Sequence, residues 1–207
     1  MYYFYVALSI VVGYLLGSIN SAVIISRLFF KEDIREKGSK NAGLTNMLRV
    51  YGAKAAAFTF IGDFCKGIIA VCAGYIMGDM LFACLGGGFA VLGHVFPVYF
   101  GFKGGKGVLT AFSVMIVICP LPTLVALAVF IIIVVLTRFV SLGSILAAAS
   151  IPFITYFLGD KLFSRGGLSP VFFLACALAV VIIVKHHANI VRLVTGKESK
   201  LSLRKKQ

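Results

Sequence analysis

Long apolar runs separated by short segments that hold nearly all the charge set the pattern of this chain. They cover residues 2–30, 55–78, 81–100, 108–119, 121–136, 142–158 and 168–184. A helix rises about 1.5 Å per residue, so ~20 apolar residues reach across the ~30 Å hydrocarbon core of a bilayer. Backbone polar groups find no water there, and helices satisfy them internally. The pattern therefore predicts an all-α, polytopic membrane protein. Its ambiguous stretch is 108–136, where Pro120-Leu121-Pro122 falls in the middle. Proline removes a helical hydrogen bond and clashes with the preceding turn, so the stretch reads as one kinked helix or as two shorter helices joined by a turn.

Composition agrees. Of the 207 residues, 60% are hydrophobic and 13% charged, against about a quarter charged in soluble domains; the mean hydropathy is +1.04. We expect one integral-membrane domain over 1–207, with 200–207 as a basic tail. The first run is expected to stay in the mature protein. It lacks the basic leader and small-residue cleavage site of a secretory signal, and its charges follow the apolar stretch. The five cysteines all lie in apolar runs without ligand-like spacing, so they read as packing residues, and no metal site or disulfide framework is expected.

The net charge of +13 would fit a nucleic-acid partner in a soluble chain, but in an apolar one its distribution matters more. Basic residues favour the cytoplasmic side of a membrane protein. With seven spans and the N-terminus outside, Lys161 and Arg165 lie outside and Lys66 lies within a span. The other 17 of the 20 lysines and arginines then sit near the inner face. Six spans would move Arg138 and the seven basic residues from Lys185 onward outside. The expectation is seven transmembrane helices with a cytoplasmic C-terminus and no nucleic-acid partner. The loop 31–54, the glycine-rich turn 101–107 and the tail after Val184 then share the cytoplasmic face. The opposite face keeps Asp79, the proline turn and the loop 160–167.

Four constellations carry candidate chemistry. In 93–110 two lysines, Lys103 and Lys106, stand among Gly101, Gly104, Gly105 and Gly107. Glycine permits positive φ and close backbone approach, so amides can converge on an anion while lysine supplies countercharge. This reads as a phosphate cradle, or as an ordinary turn with snorkelling lysines. It is not a nucleotide P-loop, because Phe100 stands where the first glycine belongs and Gly107 where a Ser or Thr would follow the lysine. Gly38-Ser39-Lys40-Asn41 and Gly43-Leu44-Thr45-Asn46 crowd hydroxyl and amide donors, as a polyol phosphate requires; alternatively Ser39 or Thr45 caps a helix. Asp63 and Lys66 share a helix face inside the second run and read as an ion pair or as a substrate contact. His186, Asn189 and Arg192 recur at intervals of three where the last run ends, and His186 can serve as acid, base or donor. Neighbouring His187 points elsewhere. His94 reads as a packed, hydrogen-bonded residue, and Glu198 as the group that orients a cationic neighbour.

In this order, the segments resemble the bacterial acyl-phosphate:glycerol-3-phosphate acyltransferase family over nearly the whole chain. The resemblance rests on Gly17-Ser18-Ile19, Gly38-Ser39 through Arg49, Gly62-Asp63 with Lys66-Gly67, Gly93-His94 through Thr110, and His186 with Asn189-Ile190, Arg192-Leu193 and Gly196. The chain departs at Asn20, where the family usually has proline, and at Leu44 and Leu109, where it has alanine. These departures bear on local packing and acyl-chain preference. The resemblance implies seven helices in a bacterial cytoplasmic membrane, a cytoplasm-facing site, and an acyl phosphate donor with glycerol 3-phosphate as acceptor, yielding lysophosphatidic acid without a cofactor. It also implies roles for Ser39, Arg49, Lys106, His186 and Asn189.

On this reading Ser39, His186 and Asn189 hold the reacting centre. Substrate binding falls to Arg49, Lys106, Lys103, Asn41, Thr45, Asn46, Gly104, Gly105, Gly107 and Glu198. Membrane lipids surround the chain, and protein partners are left open. Two rivals come from other classes. A small organic-phosphate transporter could use Asp63 and Lys66 at mid-depth, yet the polar residues gather at one face instead of forming a path across. A lipid-bound scaffold would explain only the basic tail.

Overall fold

The computed structural model describes residues 1–160 and 169–201. Lys161 and Arg165, with most of the loop expected at 160–167, lie outside the described residues, as do the expected helix start at Leu168 and the tail from residue 202. The chain packs as two compact units, Met1–Ile118 and Cys119–Gln207.

The first unit holds α1 (Tyr2–Ser18), α2 (Ser21–Phe30), α3 (Leu44–Met77), α4 (Met80–Val95) and α5 (Val108–Ile118). The first apolar run is broken where Ile19 and Asn20 are extended, and the Asn20 side chain restarts the helix by accepting from Val23 N at 3.1 Å. An asparagine N-cap supplies one acceptor that the helix start lacks. α3 begins at Leu44, well before the apolar run at Ala55, and Gly52 kinks it with φ 82° and ψ −174°. Only glycine takes that conformation without strain.

Small residues set how closely these helices approach. A Cβ on Gly13 would strike the backbone of Gly86, one on Gly17 that of Ala90, and one on Gly93 the backbone of Tyr14 to Ser18. α1 and α4 therefore touch main chain to main chain. Gly67 plays the same part between α3 and α5, where a Cβ would meet Ser113. In lipid, helices associate through such packing, because apolar burial alone offers no net drive.

The second unit holds α6 (Pro120–Thr137), α7 (Val140–Thr155), α8 (Pro170–Lys185) and α9 (His187–Val194). Of the two expectations for 108–136, two helices are found. α5 ends at Ile118 and α6 starts at Pro120, in the first turn, where proline's missing N–H has no helical partner to lose. α7 packs against α6 and α8. At the end of the last apolar run the chain bends by 57° between α8 and α9.

Among the described residues five segments are long and apolar enough to cross a bilayer: Tyr2–Phe30, Leu44–Met77, Met80–Phe100, Pro120–Thr137 and Val140–Leu158. α8 and α9 taken together make a sixth. α5, expected as a span, has 11 residues, about 16 Å at helical rise, roughly half the hydrocarbon thickness. The protein is an all-α, multi-pass integral membrane protein.

Candidate functional site

In the first unit, Asn46 organises the loop that carries Ser39. Its side chain is 1% exposed. Oδ1 accepts from Ser39 N at 2.9 Å, and Nδ2 donates to the carbonyls of Ile34 (3.2 Å), Lys37 (3.0 Å) and Asn41 (3.0 Å). The amide expected to meet substrate is occupied in holding the loop. Ser39 and Arg49 are exposed, while Asn41 and Thr45 are half-buried. Neither Ser39 nor Thr45 caps α3, whose N-cap is Gly43.

Arg35 and Asp33, which sequence reasoning missed, tie this loop to the glycine-rich turn. Arg35 Nη1 donates to the carbonyls of Phe100 at 2.6 Å and Lys103 at 3.1 Å. Asp33 pairs with Arg35 and with Arg27, both at 2.8 Å. Hydrogen bonds from Arg35, then Arg27, outweigh burial and hold the Asp33 carboxyl well below the usual carboxylate range. A cleft of about 400 Å³ opens beside them, lined by Asp33, Arg35, Glu36, Phe100, Gly101 and Lys103. Short-range alternation of acids and bases in 31–37 gave no sign of a partner some 65 residues away.

The turn itself corrects one expectation. The amides of Gly104 and Gly105, expected to converge on an anion, donate instead to the carbonyls of Val95 (3.3 Å) and His94 (3.1 Å). A Cβ on Gly104 would land on the His94 carbonyl. One on Gly105 would land on His94 Nε2 and lie 2.6 Å from Ala42 O. The close approach that these glycines permit is therefore made to the chain's own backbone and imidazole. Gly107, at φ 82°, turns the chain into α5. Lys103 is exposed and Lys106 half-buried, and both stand just before the start of α5, the end of a helix that favours anions.

Asp63, Lys66 and His94 are 1%, 5% and 4% exposed. Lys66 Nζ lies 2.8 Å from Asp63 Oδ1, 2.8 Å from Ile19 O and 2.9 Å from His94 Nδ1. Asp63 Oδ1 also accepts from Ser21 N at 3.4 Å. The pair is thus a structural ion pair with its partners supplied by the protein, and the transporter reading loses its candidate site. His94 is, as read, packed and hydrogen-bonded.

In the second unit, buried Asn189 and half-buried Arg192 meet at Glu198. Glu198 Oε1 accepts from Asn189 Nδ2 at 2.6 Å and from Ser141 Oγ at 2.8 Å, and Oε2 accepts from Arg192 Nε at 2.7 Å. Burial pushes the Glu198 carboxyl up, but the bonds from Arg192, Asn189 and Ser141 prevail and hold it below its ordinary value. Ser141, on α7, was not anticipated, since no pattern links it to a residue 57 positions on. His186 is buried with Nδ1 2.7 Å from Ile182 O. A carbonyl only accepts, so Nδ1 carries a proton. His187 is exposed.

Comparison with known proteins points one way. A family model described as glycerol-3-phosphate acyltransferase matches residues 7–196. A glycerol-3-phosphate acyltransferase of Finegoldia magna is 41% identical over 201 residues, covering 97% of this chain and 98% of the relative. One from Thermoanaerobacter pseudethanolicus is 43% identical over 198 residues, covering 95% and 96%. Among solved structures, PlsY, an integral membrane glycerol 3-phosphate acyltransferase, superposes in its glycerol 3-phosphate form with a TM-score of 0.86 at 35% identity, covering 95% of this chain and 96% of that one. Its lysophosphatidic acid form gives 0.83 at 34%, covering 96% of each. Because these matches run nearly end to end, the chain belongs to the glycerol-3-phosphate acyltransferase family.

Proposed function

We propose that this chain transfers an acyl group from an acyl phosphate to the primary hydroxyl of glycerol 3-phosphate, giving lysophosphatidic acid and inorganic phosphate. The observation that carries this reading is the full-length likeness to PlsY in its glycerol 3-phosphate and lysophosphatidic acid forms. The acyl phosphate donor is what the family resemblance implies, and a site rich in Lys, Arg and oriented dipoles suits two phosphate-bearing substrates.

Lys106, Lys103 and Arg49 supply countercharge to substrate phosphate, with the start of α5 adding its dipole. Asn41 and Thr45 hydrogen-bond the acceptor. Gly104, Gly105 and Gly107 shape the turn, Asn46 sets the loop, and Glu198 holds Asn189 and Arg192 in place. Ser39, His186 and Asn189 hold the reacting centre, and Ser39 and Asn189 donate to the carbonyl or the leaving phosphate. The hydroxyl oxygen bonds to the carbonyl carbon, the carbon–oxygen bond to phosphate breaks, and the hydroxyl proton passes to the departing phosphate. No cofactor enters.

The whole chain acts as one acyltransferase domain with seven membrane crossings in a bacterial cytoplasmic membrane. The N-terminus lies outside, while the active site and the basic tail face the cytoplasm. The support is the distribution of Lys and Arg. α5 completes its crossing with local bilayer thinning. The acyl chain enters from the surrounding lipid.

Transfer is direct, within a ternary complex. A covalent route would use Ser39, the serine of the glycine-rich loop, with His186 as base. Yet His186 Nδ1 is directed at a backbone carbonyl, not at an orienting carboxylate. Protein mixed with radiolabelled acyl phosphate and no acceptor should release no stoichiometric burst of phosphate and keep no label after denaturation. A hydroxylamine-sensitive label lost in Ser39→Ala would show an acyl-enzyme instead.

A further inference from the structure

The proposed chemistry leaves Asp63, Lys66 and His94 without a part, although buried charges inside a membrane unit are retained at a cost. Their geometry points to the glycine-rich turn. The three acceptors around Lys66 Nζ, namely Asp63 Oδ1, Ile19 O and His94 Nδ1, match the three protons of an ammonium, which has no lone pair to give. His94 Nδ1 therefore accepts, and the ring proton sits on Nε2. That edge of the ring backs Gly105, where a Cβ would fall on Nε2. The His94 carbonyl takes the Gly105 N–H at 3.1 Å, and the next carbonyl, Val95, takes that of Gly104 at 3.3 Å. One edge of the imidazole is held by a fixed ammonium while the other bears on the turn. The ammonium is itself fixed from the break between α1 and α2, by Ile19 O and, through Asp63, by Ser21 N.

We infer that the Asp63–Lys66–His94 network is the seat of the turn that carries Lys103 and Lys106. His94 is a positioning residue for glycerol 3-phosphate binding, acting through Gly105 and Lys106, and Asp63 and Lys66 act through His94. The inference rests on the reading of this turn as the phosphate site.

The test compares glycerol 3-phosphate kinetics of purified variants. His94→Asn keeps an acceptor near the Nδ1 position but withdraws the edge that backs Gly105. It should raise KM for glycerol 3-phosphate roughly tenfold while kcat stays within about twofold, because displacement of a binding group is felt in substrate affinity. His94→Gln, whose amide reaches the Nε2 position, should restore KM to within about threefold of wild type. Gly105→Ala strikes Nε2 in the wild type, so combined with His94→Asn it should raise KM by less than the product of the two single effects. A residue that only supported the fold would lower thermal stability and active fraction without this KM pattern. Lys106→Ala separates the two levels. If it leaves KM unchanged, the phosphate reading fails and the inference falls with it. If it raises KM while His94→Asn does not, the inference alone is overturned. Should His94→Asn not fold, His94→Gln decides, and a KM raised as far as in Lys106→Ala would overturn the seat.

Discussion

Glu198 shows how one carboxylate can hold several functional side chains at once. It accepts from Ser141, Asn189 and Arg192, and its carboxyl is held below the ordinary range. A carboxyl depressed in the folded state adds stability that is present above its unfolded pKa, about 4.3, and is lost as pH falls through the folded value. Glu198→Gln keeps an acceptor but loses the charge. The variant should melt at a lower temperature than wild type at pH 7, and the gap should narrow as pH drops below about 4.3. Thermal unfolding in detergent across that window checks this, and a gap independent of pH would contradict it. Residue types at this scale were legible; their orientation was less so. Asn46 stood out as a polar residue in a donor-rich loop, but nothing local showed that its amide turns inward to four backbone partners. Gly105 stood out as permitting close approach, but not what approaches it.

At the scale of elements, the break between α1 and α2 separates this chain from the proline pattern that its family resemblance implies. Ile19 is extended, with φ −69° and ψ 98°, outside the α region that a following proline disfavours. Asn20 both caps α2 and reaches Ala42 O at 3.5 Å. Asn20→Pro should therefore keep the break and retain activity. Asn20→Ala, which loses the cap and gains no backbone constraint, should cost about 1 kcal/mol. Chemical or thermal unfolding beside an activity assay decides, and an inactive proline variant with an intact fold would show that the asparagine side chain itself is needed. Proline signalled the start of α6 from sequence, because its chemistry acts locally. The break at Asn20 did not show in its apolar run, since hydropathy continues across it, and the kink at Gly52 and the bend at His186 fall outside the runs, where hydropathy carries no signal. The contacts of Gly13 and Gly17 with α4 depend on which helix lies opposite, and no hydropathy profile records that.

At the scale of the whole molecule, charge and hydropathy were enough for an all-α membrane protein, and the order of five weak motifs was enough for its family. The short α5 matches the run read at 108–119, but whether it crosses was not legible, because an apolar run has the same appearance whether it crosses or only enters the bilayer. The proposed seven-crossing topology can be probed in a background without the native cysteines. Single cysteines at Ser39, Arg138 and Ser199 should react with a membrane-impermeant thiol reagent only from the cytoplasmic side, and one at Ser164 only from outside. Labelling of position 199 from outside would overturn the arrangement and part the Glu198 cluster from the other motifs. The central claim, that the chain is an acyl-phosphate-dependent glycerol 3-phosphate acyltransferase, is tested most directly with its two candidate donors. Purified protein given labelled glycerol 3-phosphate should form labelled lysophosphatidic acid with acyl phosphate and none with acyl-CoA. Equal product from acyl-CoA would contradict the assigned donor, and no product from either would contradict the activity.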